Sequence, residues 1–135
     1  TATMGLARNL TAGEMVDQVL TAQEVSPTGR ITHVVVMGMG EPMLNYDSMV
    51  RALRLLHQEV GLSYRHLTLS TAGHVPGIRR LAEEGLPVTL ALSLHAPNDE
   101  LRAQLIPMSR KWGVAAVLDA VGYYTEHTGR RVTLK

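Results

Sequence analysis

The sequence predicts an α/β fold in which about four parallel strands alternate with helices. Hydrophobic runs rich in β-branched residues recur at roughly thirty-residue spacing, which is about the length of a βα unit. Helical patterns bounded by capping residues, proline or glycine separate these runs. The chain has 135 residues, of which 45% are hydrophobic. This length and composition suit one globular domain with a buried core.

The first helix is predicted over residues 11–23, TAGEMVDQVLTAQ. Thr11 and Glu14 have the spacing of a capping box, and apolar residues recur on one face. The SPTG turn at 26–29 ends this helix. Residues 31–37, ITHVVVM, then form a nearly continuous hydrophobic run. Such a run predicts a strand that is buried on both faces, as in a parallel sheet.

The remaining elements follow from the same kinds of signal. The first is a helix capped by Asp47 that carries Met49, Val50, Leu53, Leu55 and Leu56 inward, and it is followed by a strand at 66–71. A helix from about Pro76 to Gly85 and a strand at 87–94 come next. The last elements are a short helix capped by Asn98 or Asp99 that ends before Pro107, a helix at about 114–127 that ends at Gly129, and a fourth strand that begins at Arg131.

The resulting order, α-βα-βα-βαα-β, implies parallel strands joined by right-handed crossovers. Two architectures are open at this point, a doubly wound open sheet and part of a (β/α) barrel. A complete eight-stranded barrel needs about 250 residues, so this chain could supply about half of one.

Composition excludes several classes of protein. The net charge of +1 argues neither for nor against a nucleic-acid partner. There is no apolar run of about 18 residues and no signal-peptide pattern, so we expect a cytoplasmic protein without a membrane span. The chain contains no cysteine, which excludes disulfides, thiolate metal sites and cysteine nucleophiles within these residues. Because the sequence does not begin with Met, we expect it to be a fragment of a longer protein.

Polar and flexible residues collect at the carboxyl ends of the predicted strands, where both architectures place their sites. They are Gly38, Gly40 and Glu41 after the first strand, Ser70, Thr71 and Gly73 after the second, Ser93, His95 and Asn98 after the third, and Lys135 at the fourth. The amino ends of the same strands show no such cluster.

Each of these residues also has a simpler explanation. The glycines permit a turn, and Glu41 before Pro42 suits a helix-start carboxylate. Ser70 and Thr71 are common loop caps, and a single His95 is more often a hydrogen-bonded structural residue than a ligand. Neither a phosphate-binding G-x-x-x-x-G-K-[ST] motif nor a zinc-binding H-E-x-x-H motif occurs in the chain.

The combination is more informative than its parts. A carboxylate favours a cation, and backbone groups beside glycines can align against an extended polar ligand. Hydroxyls on the next two strands can bind a ribose or a carboxylate. The implied ligand has an ammonium at one end and hydroxyls further along. S-adenosylmethionine (SAM) fits this description better than a nucleoside phosphate does.

Several motifs in series resemble one family. They are GMGEP at 38–42, LSTAG at 69–73, SLHAPND at 93–99, MGLARNLTAGE at 4–14 and IPMSRKW at 106–112. They resemble the radical SAM methyltransferases that methylate C2 of an adenine in 23S ribosomal RNA and certain transfer RNAs. The resemblance covers essentially the whole chain. It implies that residues 1–135 are a single-domain fragment of the partial (β/α) barrel at the core of such an enzyme.

The resemblance also implies roles for particular residues. Gly40 and Glu41 correspond to the pair that binds the amino group of the cofactor's methionine. Ser70 corresponds to a cofactor contact on the second strand, and Ser93, Leu94 and His95 to the contribution of the third. For RNA contact, Arg110 and Lys111 rank highest among scattered basic residues, because they follow the third βα loop region.

The family holds a [4Fe-4S] cluster with a C-x3-C-x2-C motif upstream of MGLARNL and carries the methyl group on a C-terminal cysteine. Neither lies in this chain, so the resemblance implies no catalytic or metal residue within it and no activity of the chain alone. Three alternatives stay open: a SAM- or RNA-binding module without a cluster, the related adenine-C8 methyltransferase, and a plain α/β domain. Open sheet edges predict that the isolated chain self-associates.

Overall fold

The computed structural model of the chain describes residues 7–37 and 39–135. This part of the chain forms five α-helices and four strands, in the order α1 (Ala12–Val25), β1 (Val34–Val36), α2 (Tyr46–Gln58), β2 (Leu67–Thr71), α3 (Val75–Glu83), β3 (Thr89–Leu92), α4 (Asp99–Leu105), α5 (Val114–Thr128) and β4 (Val132–Leu134). The predicted order of elements is confirmed. Gly38 of the GMGEP motif and residues 4–6 of MGLARNLTAGE lie outside the described residues.

The four strands form one parallel sheet in the order β1-β2-β3-β4. Val36, Leu69, Leu90 and Val132 stand side by side across it. A doubly wound sheet reverses its strand order at a switch point. Here each strand lies beside the next one in the chain, as in a (β/α) barrel. The topology therefore decides between the two architectures, and the predicted barrel-type α/β fold is confirmed.

The core lies on one face of this sheet. Leu67, Leu69 and Leu90 belong to one hydrophobic cluster with buried residues of α2, α3 and α5, and the partly buried Val34 packs against it. Side chains alternate between the faces of a strand, so the opposite face carries the residues between them. On β2 and β3 these include small side chains such as Ser70 and Ala91, which are paired across the two strands. This second face is the less hydrophobic of the two.

Strand β1 differs from its prediction. It spans only three residues, and its central residue, Val35, is 47% exposed. The expectation of a strand buried on both faces is therefore wrong. In the described part of the chain β1 pairs with β2 alone. Val35 also points away from the hydrophobic cluster, which explains its exposure on a strand with one partner in the described residues.

The start of α2 also differs. Asp47 lies inside the first turn of the helix, and the N-cap position belongs to Asn45. The predicted capping role of Asp47 is therefore wrong. Its carboxylate instead accepts a hydrogen bond from Arg80 of α3 at 2.7 Å. The sequence pattern missed a 3₁₀ turn over Pro42–Asn45, which places the helix start beyond the reach of Asp47 as a cap.

Other helix ends match their predictions. The capping box of α1 is complete, since Thr11 and Glu14 each accept a hydrogen bond from the other's backbone N–H. Asn98 caps α4 by accepting from the N–H of Leu101. Gly129 ends α5 in a left-handed conformation with φ of 67°. Of the helices described, none is both long and apolar enough to cross a membrane.

Candidate functional site

A cavity of about 310 Å³ lies at the carboxyl ends of β1, β2 and β3. Five of the predicted site residues line it, namely Gly40, Glu41, Ser70, Ser93 and His95. The tertiary structure thus brings together residues that are more than fifty positions apart in the sequence. Leu94 is not among the lining residues. Its carbonyl instead accepts hydrogen bonds from Arg102 and from the N–H of Ala96.

Glu41 is the most constrained of these side chains. Its Oε1 accepts hydrogen bonds from the N–H of Met43 at 3.1 Å and from the hydroxyl of Thr71 at 2.8 Å. Its Oε2 accepts from the N–H of Ala72 at 2.8 Å. The first contact caps the 3₁₀ turn that follows, so the helix-start explanation of Glu41 is also realised. The other two tie the loop after β1 to the end of β2.

All three donors to Glu41 are neutral groups. Among the described residues, no lysine or arginine forms an ion pair with this carboxylate. The negative charge in the pocket wall is therefore oriented but not neutralised. A carboxylate oxygen has two lone pairs, so Oε2 retains capacity for one further donor. The pocket is accordingly suited to a cationic hydrogen-bond donor.

Thr71 organises the loop after β2. Its hydroxyl donates to Glu41 and accepts from the N–H of Gly73 at 3.1 Å, with a longer contact of 3.4 Å to the N–H of His74. The sequence pattern marked Thr71 as a loop cap. The structure adds its link to a carboxylate thirty residues earlier, which no local signal predicts.

Ser70 and Ser93 place hydroxyls on two adjacent strand ends. The two segments are in register, and the N–H of Ser93 donates to the carbonyl of Thr71 at 2.9 Å. Neither hydroxyl makes a hydrogen bond to another side chain or backbone group in residues 7–37 and 39–135. Both line the cavity, so both are available to a polar ligand.

His95 adopts a conformation that is uncommon for its residue type. Its φ of 59° is the one positive value among the non-glycine residues that the structure describes. The N–H groups of Leu94 and His95 both donate to the carbonyl of Lys135, at 2.8 and 3.0 Å. A left-handed non-glycine residue costs of order 1 kcal/mol, and such residues concentrate at functional sites. Here the end of β4 holds His95 at the mouth of the cavity.

Arg102 was not identified from the sequence, where it stands among exposed residues of a short polar helix. In the structure it is fully buried, and burial lowers its pKa. Its guanidinium donates to the carbonyl of Ala72 at 2.6 Å and to that of Leu94 at 3.1 Å. A buried cation was not predictable, because nothing in the local pattern distinguishes this arginine from a solvated one.

His74 is the N-cap of α3 and lies two residues after Ala72, which lines the pocket. Its Nδ1 accepts a hydrogen bond from the N–H of Gly77 at 3.0 Å, which requires the neutral ring. Trp112 packs edge-on against the imidazole with ring centroids 4.7 Å apart. Burial lowers the pKa of His74, although the nearby Glu41 opposes that shift.

We therefore expect His74 to make the fold sensitive to mild acid. The unfolded chain takes up a proton near the ordinary histidine pKa of about 6.5, while the folded chain does so only at lower pH. Stability should fall as the pH drops below about 6.5, with a slope of at most about 1.4 kcal/mol per pH unit from this group. His74→Asn keeps a capping acceptor that does not titrate, and should reduce this slope.

Urea unfolding at pH 7.5, 6.0 and 5.0 measures the effect. Part of the slope should remain in His74→Asn, because burial also lowers the pKa of His66. Equal slopes in the wild type and the variant would show that His74 does not contribute.

The predicted RNA contacts lie outside the cavity lining. Arg110 and Lys111 are both exposed, and the Lys111 ammonium lies 4.8 Å from the centre of the Trp112 ring. Trp112 packs on His74 at the start of α3, which follows the carboxyl end of β2. This basic pair therefore lies at the same end of the sheet as the pocket.

Comparisons with known proteins find relatives of this chain in both sequence and structure. The sequence model of the Radical SAM superfamily matches residues 2–134. A relative from Symbiobacterium thermophilum, named probable dual-specificity RNA methyltransferase RlmN, is 62% identical over 132 residues. The match covers 96% of this chain and 36% of that protein. A relative of the same name from Alkaliphilus oremlandii is 52% identical, with 97% and 38% covered.

A solved structure is also similar. The crystal structure of a radical SAM methyltransferase from Sphaerobacter thermophilus superposes with a TM-score of 0.91 at 49% identity. The superposition covers 98% of this chain and 40% of that one. The chain therefore spans well under half the length of the proteins that it matches.

Proposed function

This chain belongs to the radical SAM superfamily, and from that premise we propose that it supplies the SAM-binding strand ends of a cytoplasmic RNA methyltransferase. The proposed reaction is methylation of C2 of an adenine in 23S ribosomal RNA and transfer RNA. Relatives named as dual-specificity RNA methyltransferases support this proposal. The observation that carries it is the convergence of Glu41, Ser70 and Ser93 on one cavity at the strand ends.

The residues that line the cavity fit SAM. Glu41 has no ion-pair partner among the described residues and has a free acceptor position, which suits the ammonium of the methionine moiety. The backbone of Gly40 borders the same position. Ser70, Ser93 and His95, which also line the cavity, can bind the more distant hydroxyl and carboxylate groups. The volume of about 310 Å³ is at the lower end of the range for small-molecule sites.

The chain does not fit an iron–sulfur cluster. It contains no cysteine, and the structure shows no group of three or more His, Asp or Glu side chains placed to hold a metal within the residues described. We therefore propose that the cluster ligands and the catalytic residues belong to other parts of the protein that contains this chain.

When bound, SAM supplies the methyl group and the radical on which the family's chemistry depends. The contribution of this chain is to bind and orient the cofactor. Glu41 fixes the ammonium, because Thr71 and Ala72 hold its carboxylate in one orientation. His95 and the apolar residues Leu105 and Ile106 also line the cavity.

Calorimetry on a full-length protein that carries this chain tests the proposal. We expect SAM to bind and its methyl group to appear on C2 of adenine in ribosomal and transfer RNA fragments, as read by mass spectrometry of the nucleosides. A lack of SAM binding would refute the proposal. Binding without methyl transfer would favour a binding module, and a C8 product would favour the related methyltransferase.

We also propose that Arg110 and Lys111 contact the RNA backbone. Replacing both with alanine should weaken RNA binding at every sequence and reduce the salt dependence of log K by about two. Arg51→Ala with Arg65→Ala is a matched control, because it removes two exposed charges elsewhere. If the control and the test pair change binding equally, only net charge matters and the contact is not supported.

Finally, we propose that the 135-residue chain by itself self-associates. β1 and β4 each pair with one neighbour in the described residues, and both carry half-exposed side chains, Val35 at 47% and Leu134 at 52%. Such open edges favour pairing with a second chain. Light scattering over a concentration series should show dimers or larger species, and a monomer at high concentration would contradict this.

A further inference from the structure

We infer that Arg102 is a positioning residue that holds two walls of the pocket in register. It does so by donating hydrogen bonds to the loops after β2 and β3 at once. The inference rests on the proposed function, because the pocket it organises is the one assigned above to SAM.

The contacts of Arg102 reach both loops. Nη2 donates to the carbonyl of Ala72, whose N–H donates to Glu41. Nε donates to the carbonyl of Leu94, which lies between the pocket residues Ser93 and His95. A longer contact of 3.4 Å from Nη1 to the carbonyl of Trp112 adds the segment before α5. One guanidinium therefore links two parts of the cavity lining. Through Ala72 it is connected to Glu41, and through Leu94 it is connected to Ser93 and His95.

The environment of Arg102 is unusual for a residue that only fills space. No carboxylate in residues 7–37 or 39–135 forms an ion pair with it, although Asp99 attracts it through space. Burying a cation carries a large desolvation cost, and an apolar side chain of similar size would pack without that cost. A rigid fork of donors aimed at backbone carbonyls, in contrast, fixes the relative positions of the loops that carry them.

The backbone beside Arg102 leaves room for its guanidinium group. Gly73 has φ of 100°, and a Cβ built on it would lie 3.0 Å from Nη2 of Arg102 and 3.1 Å from Val117. The glycine thus allows both the turn after Ala72 and the close approach of the arginine. Because Arg102 is fully buried and is not among the residues that line the cavity, it acts on the ligand through Glu41, Ser93 and His95 rather than by touching it.

Three variants of a full-length protein that carries this chain test the inference. Arg102→Met removes the donors and keeps the length, and Arg102→Lys keeps the charge without the fork. Leu56→Ala is the control, because Leu56 is 2% exposed and lies near the opposite end of α2 from the pocket. We measure urea stability, SAM affinity by calorimetry, and hydrogen exchange of the amides of Ala72, Leu94 and His95.

We expect Arg102→Met to lower SAM affinity at least about tenfold, since small misplacements of binding groups are costly. Arg102→Lys should lie between it and the wild type. Exchange of the three pocket amides should accelerate in both variants. In Leu56→Ala, comparable destabilisation should leave SAM affinity within about twofold and should not single out the pocket amides.

Pocket amides that exchange no faster in the arginine variants than in Leu56→Ala, or an equal loss of affinity in all three, would overturn the inference. Should Arg102→Met fail to fold, the same comparison applies to Arg102→Lys. A wild-type protein that does not bind SAM would refute the proposed function instead, and the exchange data would still decide whether Arg102 positions the two loops.

Discussion

Glu41→Gln is expected to lower the affinity of a full-length enzyme for SAM by about 10-fold to 100-fold. A hydrogen bond to a charged group contributes about 1.5–3 kcal/mol, and about 1.4 kcal/mol corresponds to a factor of ten. The variant removes the charge that the proposed ammonium contact requires. The measurement is a calorimetric titration with SAM at constant salt.

The substitution also has a structural cost that must be separated from binding. The amide of the glutamine has one acceptor and one donor end, so one of the N–H and hydroxyl groups from Met43, Thr71 and Ala72 would face another donor. An unpaired buried donor costs about 1–3 kcal/mol. We therefore expect a lower free energy of unfolding together with the weaker binding.

Thr71→Val distinguishes the two effects. It removes one hydrogen bond to Glu41 and the acceptor of the Gly73 N–H, and leaves the negative charge in place. We expect a comparable loss of stability and a smaller loss of affinity than in Glu41→Gln. Glu59→Gln, at an exposed position just after α2, controls for the change in net charge and should bind normally. If Thr71→Val weakens binding as much as Glu41→Gln, the charge of Glu41 is not what the cofactor recognises.

Gly77→Ala is expected to destabilise the fold by about 1–3 kcal/mol, as other overpacked sites do. Gly77 lies in the first turns of α3, against the 3₁₀ turn over Pro42–Asn45. A Cβ built on it would lie 2.6 Å from Cβ of Met43 and 2.8 Å from Nδ1 of His74. The Met43 atom is next to the backbone and cannot move without moving the turn. Since Glu41 caps that turn, cofactor affinity should fall as well.

Gly122→Ala provides the matched control. Gly122 is also helical, in the middle of α5, and nothing lies within 4 Å of a Cβ built on it. Alanine has the higher helix propensity, so this variant should be more stable by up to about 1 kcal/mol. Urea unfolding of the two variants measures the difference in sign. Equal effects of the two substitutions would mean that helix propensity, and not the close approach of α3 to the turn, determines the change in stability at Gly77.

Much of the architecture could be predicted from the sequence because it depends on local signals. The capping box at Thr11 and Glu14, the cap at Asn98 and the left-handed stop at Gly129 each act over a few residues. Parallel strands joined by right-handed crossovers then place their carboxyl ends on one edge. This rule alone was sufficient to predict that Gly40, Glu41, Ser70, Ser93 and His95 would lie close together.

Two errors have the same physical origin. The hydrophobicity of residues 31–37 does not reveal how many neighbours the strand has, so β1 was predicted as buried although Val35 is half exposed. Aspartate is a common N-cap residue, but the 3₁₀ turn before α2 places the helix start at Tyr46, so that Asp47 lies inside the helix. In both cases the local sequence signal is present, but neighbouring elements of the tertiary structure decide the burial of the strand and the start of the helix.

The sequence by itself therefore determined the order of elements and the edge of the sheet at which the chemistry collects. Only the tertiary structure decided what holds that edge together. Glu41 finds its partners at Thr71 and Ala72, about thirty residues later, and Arg102 is buried between two strand ends. Such contacts depend on the distance between loops in space, which no spacing along the chain encodes.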